Sequence, residues 1–172
     1  MEHIKSSKAS IREIETIQQI GRATFFETFA ASNTAADMKK YLDENFHQDK
    51  LSAEIKQPDS QFYIAWEDQH AIGYLKVNAG QAQTELQDES SLEIERIYVL
   101  SAYHGKKVGQ LLYEKALEVA RLLKKSSIWL GVWEENPRAI KFYTKNGFVA
   151  FDQHIFKMGE DEQTDIMMRK RL

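Results

Sequence analysis

Apolar positions recur along this chain with helical and strand periods, and each period marks an element. Ser10-Ile11-Arg12-Glu13 has the form of a capping box, with Ser10 as N-cap and Glu13 reaching back to its amide. Ile14, Ile17, Gly21, Phe25 and Phe29 then repeat at helical spacing, which predicts a first helix to about Ala31. A less regular helical region over 35–56 should break near Asn45. Gln61 to Trp66 is rich in aromatic and β-branched residues and predicts a strand. Glu67-Asp68-Gln69 turns the chain back into a second hairpin arm from Ala71 to Asn78. The polar, small-residue stretch 79–90 reads as a loop, and Leu92 to Val99 as a strong strand.

Val108, Leu111, Leu112, Ala116, Val119 and Leu123 form one helical stripe, and Lys124-Lys125 suit the negative end of that helix dipole. Ile128 to Trp133 is almost continuously apolar, the pattern of a strand covered on both faces. Asn136-Pro137 supplies an N-cap and a proline at the first helical position; Asn146-Gly147 supplies the stop. Two last strands, about 148–157 and 164–171, flank the polar turn Gly159-Glu160-Asp161-Glu162. Helices first, then a meander, then strand–helix–strand–helix–strand predict a single α/β domain with a mixed sheet over residues 3–171.

Composition narrows the chemistry. At 172 residues the chain suits one domain. It has no cysteine, which excludes disulfides, thiolate zinc sites and a cysteine nucleophile, and fits a reducing compartment. Lys+Arg 23 against Asp+Glu 26 leaves a net charge of −3, which weighs against nucleic acid or an anionic membrane as partner. The longest apolar run, Phe62 to Trp66, falls far short of the ~20 residues of a membrane span. Met1-Glu2-His3-Ile4-Lys5 has no apolar leader, so a cytoplasmic location is expected. His3, His47, His70, His104 and His154 are scattered without ligand spacing, so no metal is expected.

Three places could carry chemistry. The turn Tyr103-His104-Gly105-Lys106-Lys107-Val108-Gly109-Gln110 joins a strand to a helix start, where free amides and a helix dipole suit a phosphate; a plain surface turn has the same composition. Glu93 and Glu95 lie two apart and share a strand face, with Leu92, Ile94, Arg96 and Tyr98 expected on the other. Those carboxylates are either solvent-facing or, in a covered sheet, present for something cationic. Tyr143 beside Phe142 is either core packing or a site hydroxyl, and the Trp129/Trp133 pair reads as core.

Leu92-Glu93-Ile94-Glu95-Arg96-Ile97-Tyr98-Val99, the glycine turn, and Asn136 to Phe148 read as N-x-x-A-x-x-F-Y-x-x-x-G-F together resemble the GNAT family of N-acetyltransferases. Ser91 to Val99, Ile128 to Glu134 and Met158 to Asp165 resemble its PaiA type of spermine/spermidine acetyltransferases. The resemblance implies a mostly antiparallel central sheet flanked by helices, acetyl-CoA as co-substrate, and a small polycationic amine as acceptor. It implies cofactor contacts from Ile97, Tyr98, Val99, His104, Gly105, Lys106, Lys107, Val108, Gly109, Gln110 and Asn136. Tyr143 is implied near the sulfur, and Glu93 and Glu95 as proton-acceptor candidates. One departure stands out: the family's Gln/Arg-x-x-Gly-x-Gly/Ala signature reads here His104-Gly105-Lys106-Lys107-Val108-Gly109, with lysine in place of the first glycine. Glu27, with the rings of Phe26 and Phe29 beside it, is a candidate for an outer acceptor contact. Direct transfer is expected, since no cysteine can carry an acyl group. The alternatives are a protein N-terminus or another small amine as acceptor, or a non-catalytic CoA-binding module. Oligomeric state stays open.

Overall fold

In the computed structural model, which describes residues 3–172, the chain opens on a strand rather than a helix. The leader reading over Met1 and Glu2 lies outside the described residues. β1 (Ile4–Lys8) pairs antiparallel with β2 (Ser60–Glu67) at the sheet edge. Its sequence, IKSSK, holds one large apolar residue because an edge strand with little to cover needs no hydrophobic run. The capping box forms as expected: the Ser10 amide and hydroxyl both donate to Glu13 Oε2, at 3.2 and 2.9 Å. It caps a short 3-10 turn, Ile11–Glu13, ahead of α1 (Ile14–Phe29). The break near Asn45 is present, between α2 (Ala35–Asn45) and α3 (Gln48–Lys56).

β2 and β3 (His70–Asn78) form the expected hairpin, and β4 (Ser91–Val99) returns antiparallel to β3. α4 (Val108–Leu122), β5 (Ser127–Trp133) and α5 (Pro137–Lys145) follow. The predicted α5 cap is observed: Asn136 Oδ1 accepts from the Ala139 amide at 3.2 Å. The Gly147 stop also forms, at φ +94°. β6 (Val149–Met158) and β7 (Asp161–Arg171) complete a seven-stranded sheet ordered β1-β2-β3-β4-β5-β7-β6. β7 begins three residues earlier than its apolar pattern indicates, because Asp161 and Glu162 pair with Met158 and Lys157 across a Gly159-Glu160 turn.

Every strand pair is antiparallel except β4 with β5. One core lies between the sheet and α4–α5, built on Leu92, Ile94, Leu112, Ala116, Ile128, Leu130 and Met168. The other lies beneath α1–α3, built on Ile17, Phe25, Phe29, Leu51, Phe62, Ile64 and Trp133. No helix among the described residues is long and apolar enough to cross a membrane.

Two irregularities in the middle of the sheet make the site. Lys76 pairs with Arg96 but Val77 pairs with Ile94, so Glu95 is the extra residue of a bulge in β4. The bulge resets the alternation. Ile94 and Ile97 face the α4–α5 core, whereas Arg96 and Tyr98 face the α1–α3 side. The expected arrangement, with Arg96 and Tyr98 opposite the glutamates, is therefore corrected: they share the glutamate face. Second, the parallel pairing of β4 and β5 ends at Ile94 opposite Leu130, although both strands continue. Beyond that point β4 stays on β3 and β5 on β7, and the two part.

Candidate active site

The parting of β4 and β5 opens a cavity of about 750 Å³. Its walls include Ile94 to Val99 of β4, Leu130 to Trp133 of β5, and Ala139, Phe142 and Tyr143 of α5. Gly131 is the exposed residue of an otherwise buried β5 because it faces this opening.

At one end stands the turn before α4. Lys107, the N-cap, adopts φ 64° and ψ 19°, the left-handed conformation that glycine takes at least cost. This lysine occupies the position where the family signature has glycine, and the backbone keeps the glycine-like turn. α4 has no side-chain cap and no acidic residue in its first turn, so its first amides remain open to an anion. A Cβ on Gly105 would meet nothing within 4 Å, and one on Gly109 only Phe142 at 3.9 Å. Both glycines therefore border free space rather than packed protein. Lys107, Arg138, Lys141 and Lys145 also line this cavity. The last three fall at i, i+3 and i+7 on α5, a basic stripe that was visible in the sequence but not singled out.

At the other end the lining is aromatic: Phe25 and Phe29 of α1, Tyr41 and Phe46 beside α2, Tyr98, Trp133 and Phe156. Phe25 stacks on Tyr41 at 4.5 Å, and Phe29 meets Trp133 tilted at 41°, with centroids 4.7 Å apart. Trp133 thus belongs to a core and to the cavity wall at once, with its Nε1 donating to Gln163 at 2.8 Å. Trp129 is core, as expected, and donates to Gln83 at 2.7 Å.

The sequence candidates divide. Ile97, Tyr98, Val99, His104, Gly105, Lys107, Val108, Gly109, Gln110, Asn136 and Tyr143 line the one cavity. Lys106 does not; its ammonium lies 5.1 Å over the Tyr103 ring. His104 Nε2 lies 2.9 Å from the Val99 carbonyl and ties the turn to the end of β4. Tyr143 is nearly buried, stacked on Phe142 at 5.3 Å with Phe148 at its edge. Burial alone pushes its phenol well above the ordinary value, with no hydrogen bond to offset it.

Glu93 and Glu95 share a face, and Asn78 Nδ2 donates to both, at 2.9 and 2.8 Å. Their surroundings differ. Glu93 is buried away from the cavity and accepts from the Thr84 amide and hydroxyl, fastening the 79–90 loop. Burial raises its carboxyl against those hydrogen bonds. Glu95 lines the cavity inside a closed charge set. Its Oε1 lies 2.7 Å from Lys76 Nζ and its Oε2 lies 3.0 Å from Arg96 Nη2, while both cations also reach Glu54 Oε1 at 2.9 Å. Burial works to raise the Glu95 carboxyl, but Arg96 and Lys76 outweigh it and hold it at about 2.

Glu27 and Phe26 are corrections. Helical spacing turns Phe25, Thr28 and Phe29 to the cavity, which leaves 26 and 27 on the outer side. Phe26 is exposed, and Glu27 accepts from the Ser101 amide (3.1 Å) and hydroxyl. Phe29 alone of the three lines the cavity.

The site thus combines a sheet parted between β4 and β5, the only parallel pair among the described residues, with an uncapped helix start at the opening. The Acetyltransferase (GNAT) family profile matches residues 22–148, and the chain belongs to that family; it is an N-acetyltransferase. It is 40% identical over its whole length to an uncharacterised N-acetyltransferase of Lactobacillus delbrueckii subsp. lactis, covering 99% of that protein. It is 28% identical to the spermidine N(1)-acetyltransferase of Thermoplasma acidophilum, over 98% of this chain and 97% of that one. The crystal structure of a PaiA N-acetyltransferase from Thermoplasma acidophilum in complex with coenzyme A superposes with a TM-score of 0.81 at 25% identity, covering 98% and 99% of the two chains.

Proposed function

We propose that this chain transfers the acetyl group of acetyl-CoA to a primary amine of spermidine or spermine by direct attack. The observation that carries the reading is the two-ended cavity: amides and basic side chains at one end, and at the other aromatic rings with the carboxylates of Glu95 and Asp165, where Arg96 is paired with Glu95 and Lys50 donates to Asn45. The first end suits the phosphates of coenzyme A. The second suits an alkyl chain bearing ammonium groups, held by ring faces and carboxylates. The likeness to a spermidine acetyltransferase supports the same acceptor class.

The glycine-bordered space at 105 and 109 and the open α4 amides fit a pyrophosphate. Amides 108–110 would hold it, with Lys107, Arg138, Lys141 and Lys145 adding charge attraction. The unpaired edge of β4 at Ile97 to Val99 would receive the pantetheine arm, with Asn136 beside it, and Tyr143 would face the sulfur. When bound, the cofactor supplies an acetyl thioester to the acceptor.

For their part, the chain's residues must seat the ammonium and dispose of its proton. A primary amine near pKa ~10.4 is about one part in a thousand neutral at pH 7.4, so seating and deprotonation are part of catalysis. Glu93 supports the site by holding its loop, and Glu95 by fixing Arg96 and Lys76. Neither has the proton affinity and the access together that a proton acceptor needs.

Gly109→Glu tests the cofactor half. It puts bulk and negative charge where the phosphates are assigned, and the open space at 109 lets the fold survive it. Calorimetry should show CoA binding at least tenfold weaker, about 1.4 kcal/mol. Unchanged affinity would remove the phosphates from this turn. Release of CoA from acetyl-CoA across an amine panel tests the acceptor half.

A further inference from the structure

Glu95 is the β4 glutamate that reaches the cavity, and its cations hold it ionised, so β4 offers the acceptor's proton no good destination. The opposite wall does. β7 sets Asp165 directly across from Trp133 of β5, and its carboxylate lines the same cavity as Tyr98, Trp133 and Tyr143. Its neighbour is His154 of β6, whose Nε2 lies 3.4 Å from Asp165 Oδ2. His154 Nδ1 lies 3.3 Å from Glu85 Oε2 of the 79–90 loop, without an aligned hydrogen bond. Side-chain exposure rises along this file, from 20% at Asp165 to 29% at His154 and 38% at Glu85. Gly131 completes it. A Cβ there would sit at contact distance, 3.4 Å, from both Asp165 Oδ2 and His154 Cε1, so this exposed glycine of the cavity wall lies directly beside the pair.

We propose that Asp165 seats the acceptor ammonium and takes its proton, and that His154 and Glu85 pass that proton to solvent. This rests on the amine-acetylation reading above. The ammonium gives one proton to the Asp165 carboxylate, leaving a neutral amine and a carboxylic acid. The amine lone pair forms the N–C bond to the acetyl carbon as the C–S bond breaks, its electron pair passing to sulfur. A second N–H proton reaches the sulfur by way of the Tyr143 hydroxyl. Asp165 returns its proton through His154 to Glu85 and water, so each turnover releases one proton.

The electrostatics agree with the geometry. Burial raises the Asp165 carboxyl, His154 opposes that and Glu85 adds to it, leaving it at about 6. Tyr41 of α2 and Tyr98 of β4 are the other titratable side chains coupled to its charge, and both stay neutral phenols at pH 7. Burial thus leaves Asp165 with a proton affinity above the ordinary carboxylate range, whereas Arg96 and Lys76 hold Glu95 below it.

Carbon-13 NMR of ligand-free protein labelled at its aspartate carboxyls should show one group titrating near pH 6, absent from Asp165→Asn. His154→Gln should move that midpoint upward, because it removes the group that lowers it. With spermidine as probe, Asp165→Asn should lose about 10²–10⁴-fold in kcat/KM together with the acid limb of its pH profile, which Asp165→Glu should retain. A folded Asp165→Asn with wild-type kcat/KM and an unmoved acid limb overturns the proposal, as does a wild-type spectrum with no aspartate titrating above pH 5. If the wild type acetylates a different amine but not spermidine, the acceptor reading fails instead, and the ligand-free titration still decides Asp165.

Discussion

Tyr143→Phe should slow acetyl transfer by about 10²–10⁴-fold while CoA still binds. The ring is fixed by stacking on Phe142 and by the edge of Phe148, contacts that phenylalanine keeps. Only the hydroxyl is lost, and it is the polar end of a nearly buried side chain on the cavity wall. A thiol near ~8.5 is a stronger acid than a phenol near ~10, and burial widens that gap. In the proposed reaction Tyr143 would then be a hydrogen-bond donor that delivers a proton to the departing sulfur and regains one from the attacking amine nitrogen, rather than a strong acid. Single-turnover rates separate chemistry from product release. A variant with an unchanged chemical step would return Tyr143 to the packing role its neighbours already give it.

Arg96→Met should destabilise the fold by about 3–5 kcal/mol at pH 7, the usual result of stripping one partner from a buried charge set. The Arg96 and Lys76 side chains are 14% and 7% exposed, and two cations there balance two carboxylates, Glu54 and Glu95. Methionine keeps most of the packing over the Phe46 ring, where the guanidinium lies 5.7 Å from the centroid. It leaves one carboxylate without a counter-charge. Glu95 has a folded-state pKa below its unfolded value, so its contribution is present above about 4.3 and lost as pH falls through about 2. Without Arg96 that depressed value relaxes upward. The penalty in urea unfolding should then shrink between pH 6 and pH 4, as Glu95 protonates in the variant but not in the wild type. A double variant, Arg96→Met with Glu95→Gln, should recover much of the loss. A penalty under 1 kcal/mol at pH 7 would mean the charge set is not coupled.

Local signals in the sequence translated directly into structure. The Ser10 box, the Asn136-Pro137 start and the Gly147 stop are each decided by neighbours within a few residues, and each formed. The long-range features were not legible. β1 carries no apolar run because it covers little at the sheet edge. The bulge at Glu95 leaves no mark on a nine-residue strand, yet it moves Arg96 and Tyr98 to the other face and so changes which side chains meet. Glu27 looked available because its partner, Ser101, lies 74 residues away. Asp165 sits in DEQTD, a stretch whose polarity reads as solvated until β7 sets one of its carboxylates beside Trp133. The basic end of the cavity was readable because one turn and one helix build most of it. The aromatic end draws on α1, α2, β4, β5, β6 and β7, and only the fold brings those together.

Acetyl transfer to a polycationic amine can be read from CoA release from acetyl-CoA with spermidine, spermine, a monoamine of similar length and a peptide with a free N-terminus. Spermidine and spermine should each give stoichiometric CoA and acetylated amine, at a kcat/KM well above that for the monoamine or the peptide. Turnover of the peptide with none of either polyamine, or no CoA release with any amine, would contradict it.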